Sequence, residues 1–249
     1  METLYTILFL LGTIVFAYLM GSIPFGILIG KKHGIDIREH GSGNAGGTNV
    51  GRTLGKKNGI LCMVLDILKS YVTLWVIFIL ITYTGLGSVL LTSAYEFQTE
   101  LYIAIGGFMV CIGHTFPIFA QFKGGKAVAC FAGYVLFVSP ILFAFGFGLF
   151  MALFAWKHRI SICSIIAAPS VFLVSAVPMI LHYALNMNVT QFNGGMYFGP
   201  NCLLHLCYIT FINIFLCVMI VIIRHKSNIK RIHDHEEPET HFQNTVDNN

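Results

Sequence analysis

Charged residues are scarce in this sequence, which already limits the kind of protein it can be. Only 10% of the 249 residues are Asp, Glu, Lys or Arg, whereas 56% are hydrophobic and the mean hydropathy is +0.76. A chain this apolar does not suit a water-soluble surface, so lipid is the expected solvent for most of it. The net charge of +4 comes from basic residues in a few loops and therefore does not predict a nucleic-acid partner.

Several motifs of metal and nucleophile chemistry are also missing. The seven cysteines form no CxxC pair, and the chain has no HExxH, no GxSxG and no DxxD-type acidic cluster that would hold magnesium for a pyrophosphate substrate. The histidines and acids of residues 233–241 could pick up a metal, but in a flexible tail such binding is adventitious. We therefore expect a reaction without metal or other cofactor, run by positioning and charge neutralisation.

Long apolar runs are what the sequence has in abundance. At the ~20 residues of a bilayer-crossing helix, they predict an all-α integral membrane protein folded as one seven-span helical bundle. The first run has no basic region before it and no small-residue cleavage signal after it, so we expect a retained span. The predicted spans lie near residues 4–29, 59–84, 101–121, 127–138, 141–156, 162–185 and 202–223.

The run from 127 to 156 is either one helix kinked at Ser139-Pro140 or two short helices folded as a hairpin around that proline. With a hairpin and the N-terminus outside, every Lys and Arg except Lys69 lies in a cytoplasmic loop or in the C-terminal tail. A single helix would divide the basic residues between the two sides. The positive-inside rule therefore favours the hairpin, a cytoplasmic C-terminus, and short or partly re-entrant helices near 115–140.

Two polar segments fall outside this bundle. Residues 186–201 are rich in Asn and Gly and are expected to form an outer loop, to which we assign no role. Residues 232–249 are polar and are expected to be a disordered tail, which leaves residues 1–231 as the membrane domain.

The longest polar stretch between spans, residues 31–58, centres on a glycine-rich loop that ends at Arg52. Glycine lets backbone N–H groups turn toward one point, as in loops that cradle a phosphate. An anion site is the functional interpretation, and a plain turn is the alternative. It is not a nucleotide-binding P-loop, because no Lys follows in the GxxxxGK[ST] pattern. Besides Arg52, the candidate binding residues are Gly41, Ser42, Gly43, Asn44, Thr48 and Asn49.

A second cluster follows the third span, where His114 precedes the run Lys123-Gly124-Gly125-Lys126. Two cations on a backbone that a ligand can approach closely suit a phosphate. The alternatives are that the lysines only mark the cytoplasmic side and that His114 is a buried core histidine.

A third cluster comes from two more helix ends. It comprises Lys157, Arg159 and Ser161 at the start of the sixth span, and Arg224, His225, Asn228, Lys230 and Arg231 after the seventh. Each segment alone is typical of a topology signal. All three clusters are predicted on one membrane face, where helix ends add their dipoles to the field. Within the second span, Asp66 and Lys69 are three residues apart and predict a structural ion pair.

These motifs resemble those of the acyl-phosphate-dependent glycerol-3-phosphate acyltransferases of bacterial membranes, usually called PlsY. The chain departs from the family pattern at Ala127 and His235, where the family has glycine, and at Cys130, where it has threonine. These departures put in question the affinity for glycerol phosphate and the role of Glu237 as a structural contact. The resemblance runs nearly end to end, through Gly21–Gly26, Gly34–Arg52, Gly113–Lys126, Arg159–Ser161 and Arg224–Arg231.

The resemblance implies an enzyme of the bacterial cytoplasmic membrane with its active site on the cytoplasmic side. Such an enzyme transfers a fatty acyl group from acyl phosphate to the 1-hydroxyl of glycerol 3-phosphate, giving lysophosphatidic acid and inorganic phosphate, the first step of phospholipid synthesis. The soluble enzyme that forms acyl phosphate is a candidate partner. By motif position, the implied catalytic residues are Ser42, Arg52, His114, Ser161, His225 and Asn228, and the implied glycerol-phosphate loop is Lys123, Gly124, Gly125 and Lys126.

No side chain stands out as the base for the attacking hydroxyl. We favour a phosphate oxygen of the acyl donor, with His114 or His225 as alternatives.

One competing function is a transporter or channel for an organic phosphate, which predicts polar groups near mid-membrane and access from both faces. Another is a non-catalytic membrane scaffold, which would not need three anion-binding loops on one side.

Overall fold

The computed structural model describes residues 2–84, 95–185 and 208–240, and in these ranges every regular element is helical. Short 3₁₀ turns at Ile37–Glu39 and Ile118–Ala120 join some of the longer helices. The predicted outer loop at 186–201 lies outside the described residues. The α-helices are α1 Glu2–Gly21, α2 Phe25–Lys32, α3 Gly47–Leu54, α4 Lys56–Tyr83, α5 Tyr95–Thr115, α6 Val128–Val138, α7 Pro140–Lys157, α8 Ile160–Leu185, α9 Tyr208–Arg224 and α10 Lys226–His233.

The membrane-spanning segments follow the predicted apolar runs, with two interruptions. By length and hydropathy, five segments of the described chain can cross a bilayer, and the bent pair α9 and α10 raises the number to six if it is one span. The first predicted span is divided into α1 and α2, because Pro24 precedes α2 and cannot donate a helical hydrogen bond. Helix α6 has only 11 residues, too few to cross alone. The prediction of an all-α integral membrane fold is confirmed, while the seven-span count and the sidedness of the termini stay predictions.

The ambiguous run from 127 to 156 forms two helices that meet at Ser139. Its backbone is extended (φ −158°, ψ 101°), and its side chain caps α7 by accepting a hydrogen bond from the N–H of Leu142 at 3.3 Å. Pro140 then occupies the first turn of α7, where its missing N–H costs nothing. Asn228 contacts both Lys126, before α6, and Ser161, after α7, so the chain returns to the same end of the bundle. The hairpin interpretation is therefore confirmed.

The helices bury a large apolar core and a second, smaller apolar cluster around α2 and α3, and they leave a broad apolar exterior. Helix α1 packs on α5, α4 on α6, and α7 on α8. The outward faces carry side chains such as Leu11, Leu68 and Leu173, which are 52%, 44% and 67% exposed. An exterior of this composition needs lipid around it. Fully buried core side chains include Leu74, Ile77, Val110, Tyr134, Phe137 and Ile214.

The C-terminal segment differs from the sequence-based expectation. The sequence predicts a disordered tail from residue 232, but the chain packs against the bundle as far as Thr240, the last described residue. Glu237 and Thr240 are only 2% and 4% exposed, and the Thr240 N–H donates to the carbonyl of His158 at 2.7 Å. The tail folds because its buried carboxylate finds several hydrogen-bond donors, which composition alone does not reveal.

Both positions where this chain replaces a family glycine have left-handed backbone. Ala127, at the start of α6, has φ 61°, and His235 has φ 60°. A side chain is disfavoured in this region by about 1–2 kcal/mol, which explains a preference for glycine there. Ala127 and His235 thus adopt the backbone conformation that glycine favours, and Glu237 makes its hydrogen bonds beside His235.

Candidate active site

A single cavity of about 210 Å³ gathers residues from seven of the helices and their flanking loops. One end is polar and basic, and the other is lined by aliphatic and aromatic side chains of α4, α6, α7 and α8. The polar end contains Ser42, Asn44, Thr48, Asn49, Arg52, Asp66, His114, Lys126, Ser161, His225 and Asn228, and the apolar end includes Met63, Ile67, Phe131, Val135, Phe143, Phe147, Phe150 and Val171.

The glycine-rich loop is held in shape by the buried side chain of Asn49, which is 1% exposed. Its amide nitrogen donates to the carbonyls of Ile37 and His40 at 2.8 and 2.9 Å, and its amide oxygen accepts from the N–H of Ser42 at 2.8 Å. Gly41 has φ 58°, and a Cβ there would lie 2.4 Å from the amide oxygen of Asn49. Asn49 therefore fixes the loop, and Gly41 makes room for it.

Arg52 lies in the last turn of α3 and reaches the C-terminal segment. Its Nη2 atom donates to the Thr240 hydroxyl at 3.2 Å and to the Pro238 carbonyl at 3.4 Å. Burial lowers the pKa of Arg52, and the nearby Glu237 carboxylate opposes that effect. Since a guanidinium stays protonated in proteins, Arg52 supplies a permanent positive charge to the cavity.

A second set of contacts, which we term the tail cluster, consists of Ser161, Asn228, Arg231 and Glu237. The Glu237 carboxylate accepts from the Ser161 hydroxyl at 2.5 Å, the Asn228 amide at 2.9 Å and Arg231 Nε at 2.8 Å. The Asn228 amide also donates to the Ser161 hydroxyl oxygen at 2.6 Å. Burial raises the pKa of Glu237, but these three donors outweigh it and the net pKa lies below the ordinary value.

Lys126 joins the tail cluster to the loop that follows α5. Its ammonium donates to the Asn228 amide oxygen at 2.6 Å. Burial and the neighbouring cations Arg231, Arg52 and Arg224 together lower the pKa of Lys126 to about 8, although the Glu237 carboxylate opposes them. A bound dianion would therefore stabilise the protonated form of Lys126.

A third set of contacts, which we term the inner cluster, consists of Asp66, Lys69 and His114. Lys69 Nζ lies 2.8 Å from Asp66 Oδ1, and both side chains are 2% exposed. It also lies 2.8 Å from the carbonyl oxygen of Ile23 and 3.0 Å from His114 Nδ1. The predicted ion pair within α4 is confirmed, and it extends to a histidine on α5.

The glycines at 124 and 125 bring the loop after α5 against His114. The Gly125 N–H donates to the His114 carbonyl at 3.0 Å. A Cβ at Gly125 would lie 2.1 Å from His114 Nε2, so the backbone can pass the ring only without a side chain. The loop conformation therefore depends on His114.

Comparison with known proteins identifies the family. The family model described as glycerol-3-phosphate acyltransferase matches residues 11–235. The chain belongs to the glycerol-3-phosphate acyltransferase family. A glycerol-3-phosphate acyltransferase of Bacillus cytotoxicus is 37% identical over 230 residues, covering 92% of this chain and 94% of the relative. One from Aquifex aeolicus is 41% identical over 171 residues, covering 64% and 76%.

Solved structures agree with this assignment. The chain is similar to PlsY, an integral membrane glycerol 3-phosphate acyltransferase solved in its glycerol 3-phosphate form, with a TM-score of 0.69 and 33% identity over 92% of this chain and 94% of that one. The lysophosphatidic acid form of PlsY matches with a TM-score of 0.67. The protein is therefore a multi-pass membrane acyltransferase, as the sequence predicts.

Most of the sequence-predicted site residues of this acyltransferase meet at the cavity. The exceptions have different explanations. Gly41 packs against Asn49 and Gly125 packs against His114, and neither glycine lines the cavity, while Lys123 is exposed at the surface. Gly43 and Gly124 also lie outside the cavity lining.

Two further sets of residues adjoin the predicted site of this acyltransferase. Arg231 and Glu237 complete the tail cluster, although sequence reasoning considered Glu237 only as a structural contact and Arg231 only as one of several basic residues after the seventh span. Asp66, His114 and Cys130 also place potential metal-ligand atoms within 4.8 Å of one another. The Lys69 ammonium lies 2.8 Å from Asp66 and 3.0 Å from His114, so a side chain of the protein supplies positive charge beside these two groups.

Proposed function

We propose that the protein transfers a fatty acyl group from acyl phosphate to the 1-hydroxyl of sn-glycerol 3-phosphate, with release of lysophosphatidic acid and inorganic phosphate. The observation that carries this proposal is the division of one cavity into a cationic end and an apolar end. The acceptor and the donor head are anionic, and the donor tail is apolar, so both substrates together match this division.

The polar end suits two phosphate groups. Arg52 and Lys126 line it as cations, and the glycine-rich loop and the start of α3 add N–H groups. Ser42, Ser161 and Asn228 offer neutral hydrogen-bond donors around them. We assign glycerol 3-phosphate and the donor phosphate to this end, without dividing the cations between them.

The apolar end suits an acyl chain that enters from lipid. Phe147 lines the cavity and is 53% exposed on the apolar exterior, so the cavity reaches the surface that faces lipid. Phe143 and Phe150, on the same helix, continue the apolar lining. The acyl phosphate would then lie with its chain between α6, α7 and α8 and its head among the cations.

The chemistry needs little beyond alignment and charge stabilisation. The 1-hydroxyl oxygen forms a new ester bond at the acyl carbonyl carbon, and the bond from that carbon to the phosphate oxygen breaks, so inorganic phosphate leaves with the bonding electrons. Arg52 and Lys126 neutralise the charge that develops on the carbonyl and phosphate oxygens. The hydroxyl proton goes to a phosphate oxygen of the donor, with His114 and His225 as the alternative acceptors.

The same proposal places the reaction at the cytoplasmic face of the bacterial inner membrane. The basic loops and the polar end of the cavity share one end of the bundle, and the positive-inside rule assigns that end to the cytoplasm. Glycerol 3-phosphate would arrive from the cytosol and acyl phosphate from the inner leaflet. The soluble enzyme that forms acyl phosphate is the candidate partner that delivers the donor.

Donor choice is tested by supplying purified protein in lipid with labelled glycerol 3-phosphate and either palmitoyl phosphate or palmitoyl-coenzyme A. We expect 1-acyl product from palmitoyl phosphate alone, and none with an acceptor that lacks the 1-hydroxyl. Arg52→Ala should abolish the product, while Lys57→Ala, at an exposed lysine outside the cavity, should retain it. Product from the coenzyme A ester alone would contradict the proposed donor.

A further inference from the structure

The three residues that follow the tail cluster also contact the site, and the proposed reaction assigns them no role. We term residues 238–240 the strap. Thr240, at its end, is only 4% exposed and is therefore packed against the bundle. The family model ends at residue 235, so the strap lies beyond the part of the chain that it matches. The family match thus does not account for the contacts of the strap.

The strap is held at both ends. Glu237, which precedes it, is bound into the tail cluster by its carboxylate. At the other end, the Thr240 N–H donates to the carbonyl of His158 at 2.7 Å, in the turn between α7 and α8. Between these points, Pro238 restricts the chain because its ring fixes φ and it has no N–H to satisfy. The path of the strap past α3 is therefore well defined.

The strap binds one nitrogen of Arg52 with two acceptors. Arg52 Nη2 lies 3.2 Å from the Thr240 hydroxyl oxygen and 3.4 Å from the Pro238 carbonyl oxygen. Each terminal nitrogen of a guanidinium carries two protons, so these two acceptors account for both protons of Nη2. Both acceptors are neutral. The strap therefore holds Arg52 without pairing its charge.

The other donors of Arg52 are left for an anion. A guanidinium is a planar fork of five N–H groups, and those on Nε and Nη1 donate to no group in the described part of the chain. Arg52 lines the polar end of the cavity. Two parallel N–H groups of such a fork match two oxygens of a phosphate. A guanidinium already held through Nη2 would lose less freedom when it binds that phosphate.

We propose that the strap positions Arg52: the Pro238 carbonyl and the Thr240 hydroxyl hold Nη2, so that Nε and Nη1 are presented to a substrate phosphate. Arg52 touches the phosphate, and Thr240 acts through Arg52 as a positioning residue. Which substrate carries this phosphate rests on the proposed function, whereas the binding of a phosphate group does not. If the strap instead competed with phosphate for Arg52, removal of the Thr240 hydroxyl would strengthen phosphate binding.

Phosphate binding is tested by calorimetric titration of the full-length protein in lipid nanodiscs with inorganic phosphate, which requires no turnover. Thr240→Val removes the hydroxyl but keeps the side-chain shape and the N–H that binds His158. We expect its Kd for phosphate to rise about tenfold, because a hydrogen bond to a charged group is lost, and Thr240→Ser to stay within about twofold of the unmodified protein. Equal or tighter binding by Thr240→Val, or no binding by the unmodified protein, would overturn the proposal.

A second background separates positioning of Arg52 from general support of the fold. Arg52→Lys keeps a cation but has no Nη2 for the strap to hold. Thr240→Val should therefore weaken phosphate binding in the unmodified protein and change it little in the Arg52→Lys background. Equal losses in both backgrounds would show that Thr240 does not act through Arg52.

Thr210→Val is the matched control. Thr210 lies on α9, is 4% exposed like Thr240, and is outside the cavity lining. The same substitution there should leave the Kd for phosphate unchanged. A loss as large as that of Thr240→Val would attribute the effect to a buried valine in general, against the proposal.

Turnover distinguishes this proposal from the proposed function. Thr240→Val should lower kcat/KM for acyl transfer from palmitoyl phosphate about tenfold, and Thr240→Ser should restore it. Full acyl transfer by Thr240→Val would overturn the role of the strap and leave the proposed function standing. Phosphate binding that depends on Thr240, in a protein that transfers no acyl group, would contradict the proposed function and support the strap.

Discussion

The inner cluster and the tail cluster support the same cavity by different means. The inner cluster joins side chains on two long helices, and its ion pair spans three residues of α4. The tail cluster joins residues distant in sequence, with Ser161 and Glu237 separated by 76 positions. The first is therefore built into the membrane bundle, whereas the second depends on the C-terminal segment closing over the polar end.

Because of this difference, the two clusters should affect different properties of the protein. The ion pair of the inner cluster is almost inaccessible to water, so its charges are costly if left unpaired. In the tail cluster, the Arg231 side chain is 34% exposed and its pairing with Glu237 is partly screened. Disruption of the inner cluster should mainly lower stability, and disruption of the tail cluster should mainly lower activity.

The largest effect is expected from Asp66→Ala, which leaves the Lys69 ammonium buried without its carboxylate. Such a loss costs about 3–5 kcal/mol of folding free energy. Thermal unfolding in detergent should show a marked drop, and Asp66→Ala/Lys69→Met should recover much of it. Equal instability of the single and double variants would show that the unpaired charge is not the cause.

Loss of the carboxylate in the tail cluster should affect turnover more than folding. Glu237→Ala removes the acceptor shared by Ser161 and Asn228, and we expect kcat to fall by about 10²-fold because two groups at the cavity lose their positions. Glu237→Gln keeps an acceptor oxygen and should lose less. Initial-rate measurements check this order, and similar rates for the two variants would contradict it.

The low pKa of Glu237 also gives the sign of a pH effect on stability. Its contribution should be fully present above the unfolded value near 4.5 and should be lost as pH falls through the lower folded pKa. Glu237→Gln should remove this acid dependence.

The lowered pKa of Lys126 predicts a pH-dependent affinity for the phosphate substrate. Because this pKa is about 8, the free site loses its ammonium as pH rises above that value, whereas a bound dianion favours the protonated form. The KM for glycerol 3-phosphate should therefore rise above pH 8, by up to about tenfold per pH unit. Lys126→Arg should flatten this dependence, even if its absolute KM is higher. A KM that does not change with pH in the unmodified protein would show that Lys126 does not bind the phosphate.

The apolar end of the cavity predicts a change in acyl-chain preference. Ala132 is half-buried in the lining, and Ala132→Leu should shorten the space for the chain, which shifts kcat/KM toward lauroyl over palmitoyl phosphate by about tenfold, since a methylene misfit costs about 1–3 kcal/mol. Ala144→Leu is the matched control, because Ala144 is exposed on α7 outside the lining. A parallel shift in both variants would argue against the proposed chain position.

The smallest effect concerns the two left-handed residues that replace family glycines. His235→Gly, beside the tail cluster, and Ala127→Gly, at the start of α6, should each raise stability by about 1 kcal/mol through relief of backbone strain. Unfolding midpoints measure both. Destabilisation by either change would show that the side chain contributes more than the strain costs.

Local pattern made much of this protein predictable. Span positions follow from apolar length, the break at Ser139-Pro140 from proline geometry, and the Asp66–Lys69 pair from helical spacing. Ten of the candidate site residues, from four separate segments of the chain, also line the one cavity.

Long-range contacts were not predictable from these patterns. No local periodicity connects Lys69 to the Ile23 carbonyl, or Arg52 to Thr240, because those contacts arise only when the helices pack. The folded C-terminal segment was missed for the same reason, since its polar composition is typical of a disordered tail.

The most direct test of the account is phosphate release by the purified protein in lipid, with palmitoyl phosphate supplied with and without glycerol 3-phosphate. Release that requires glycerol 3-phosphate, matches lysophosphatidic acid mole for mole and disappears in Arg52→Ala is the predicted result. Saturable binding or transmembrane flux of glycerol phosphate without phosphate release would contradict acyl transfer from acyl phosphate and would favour a transporter.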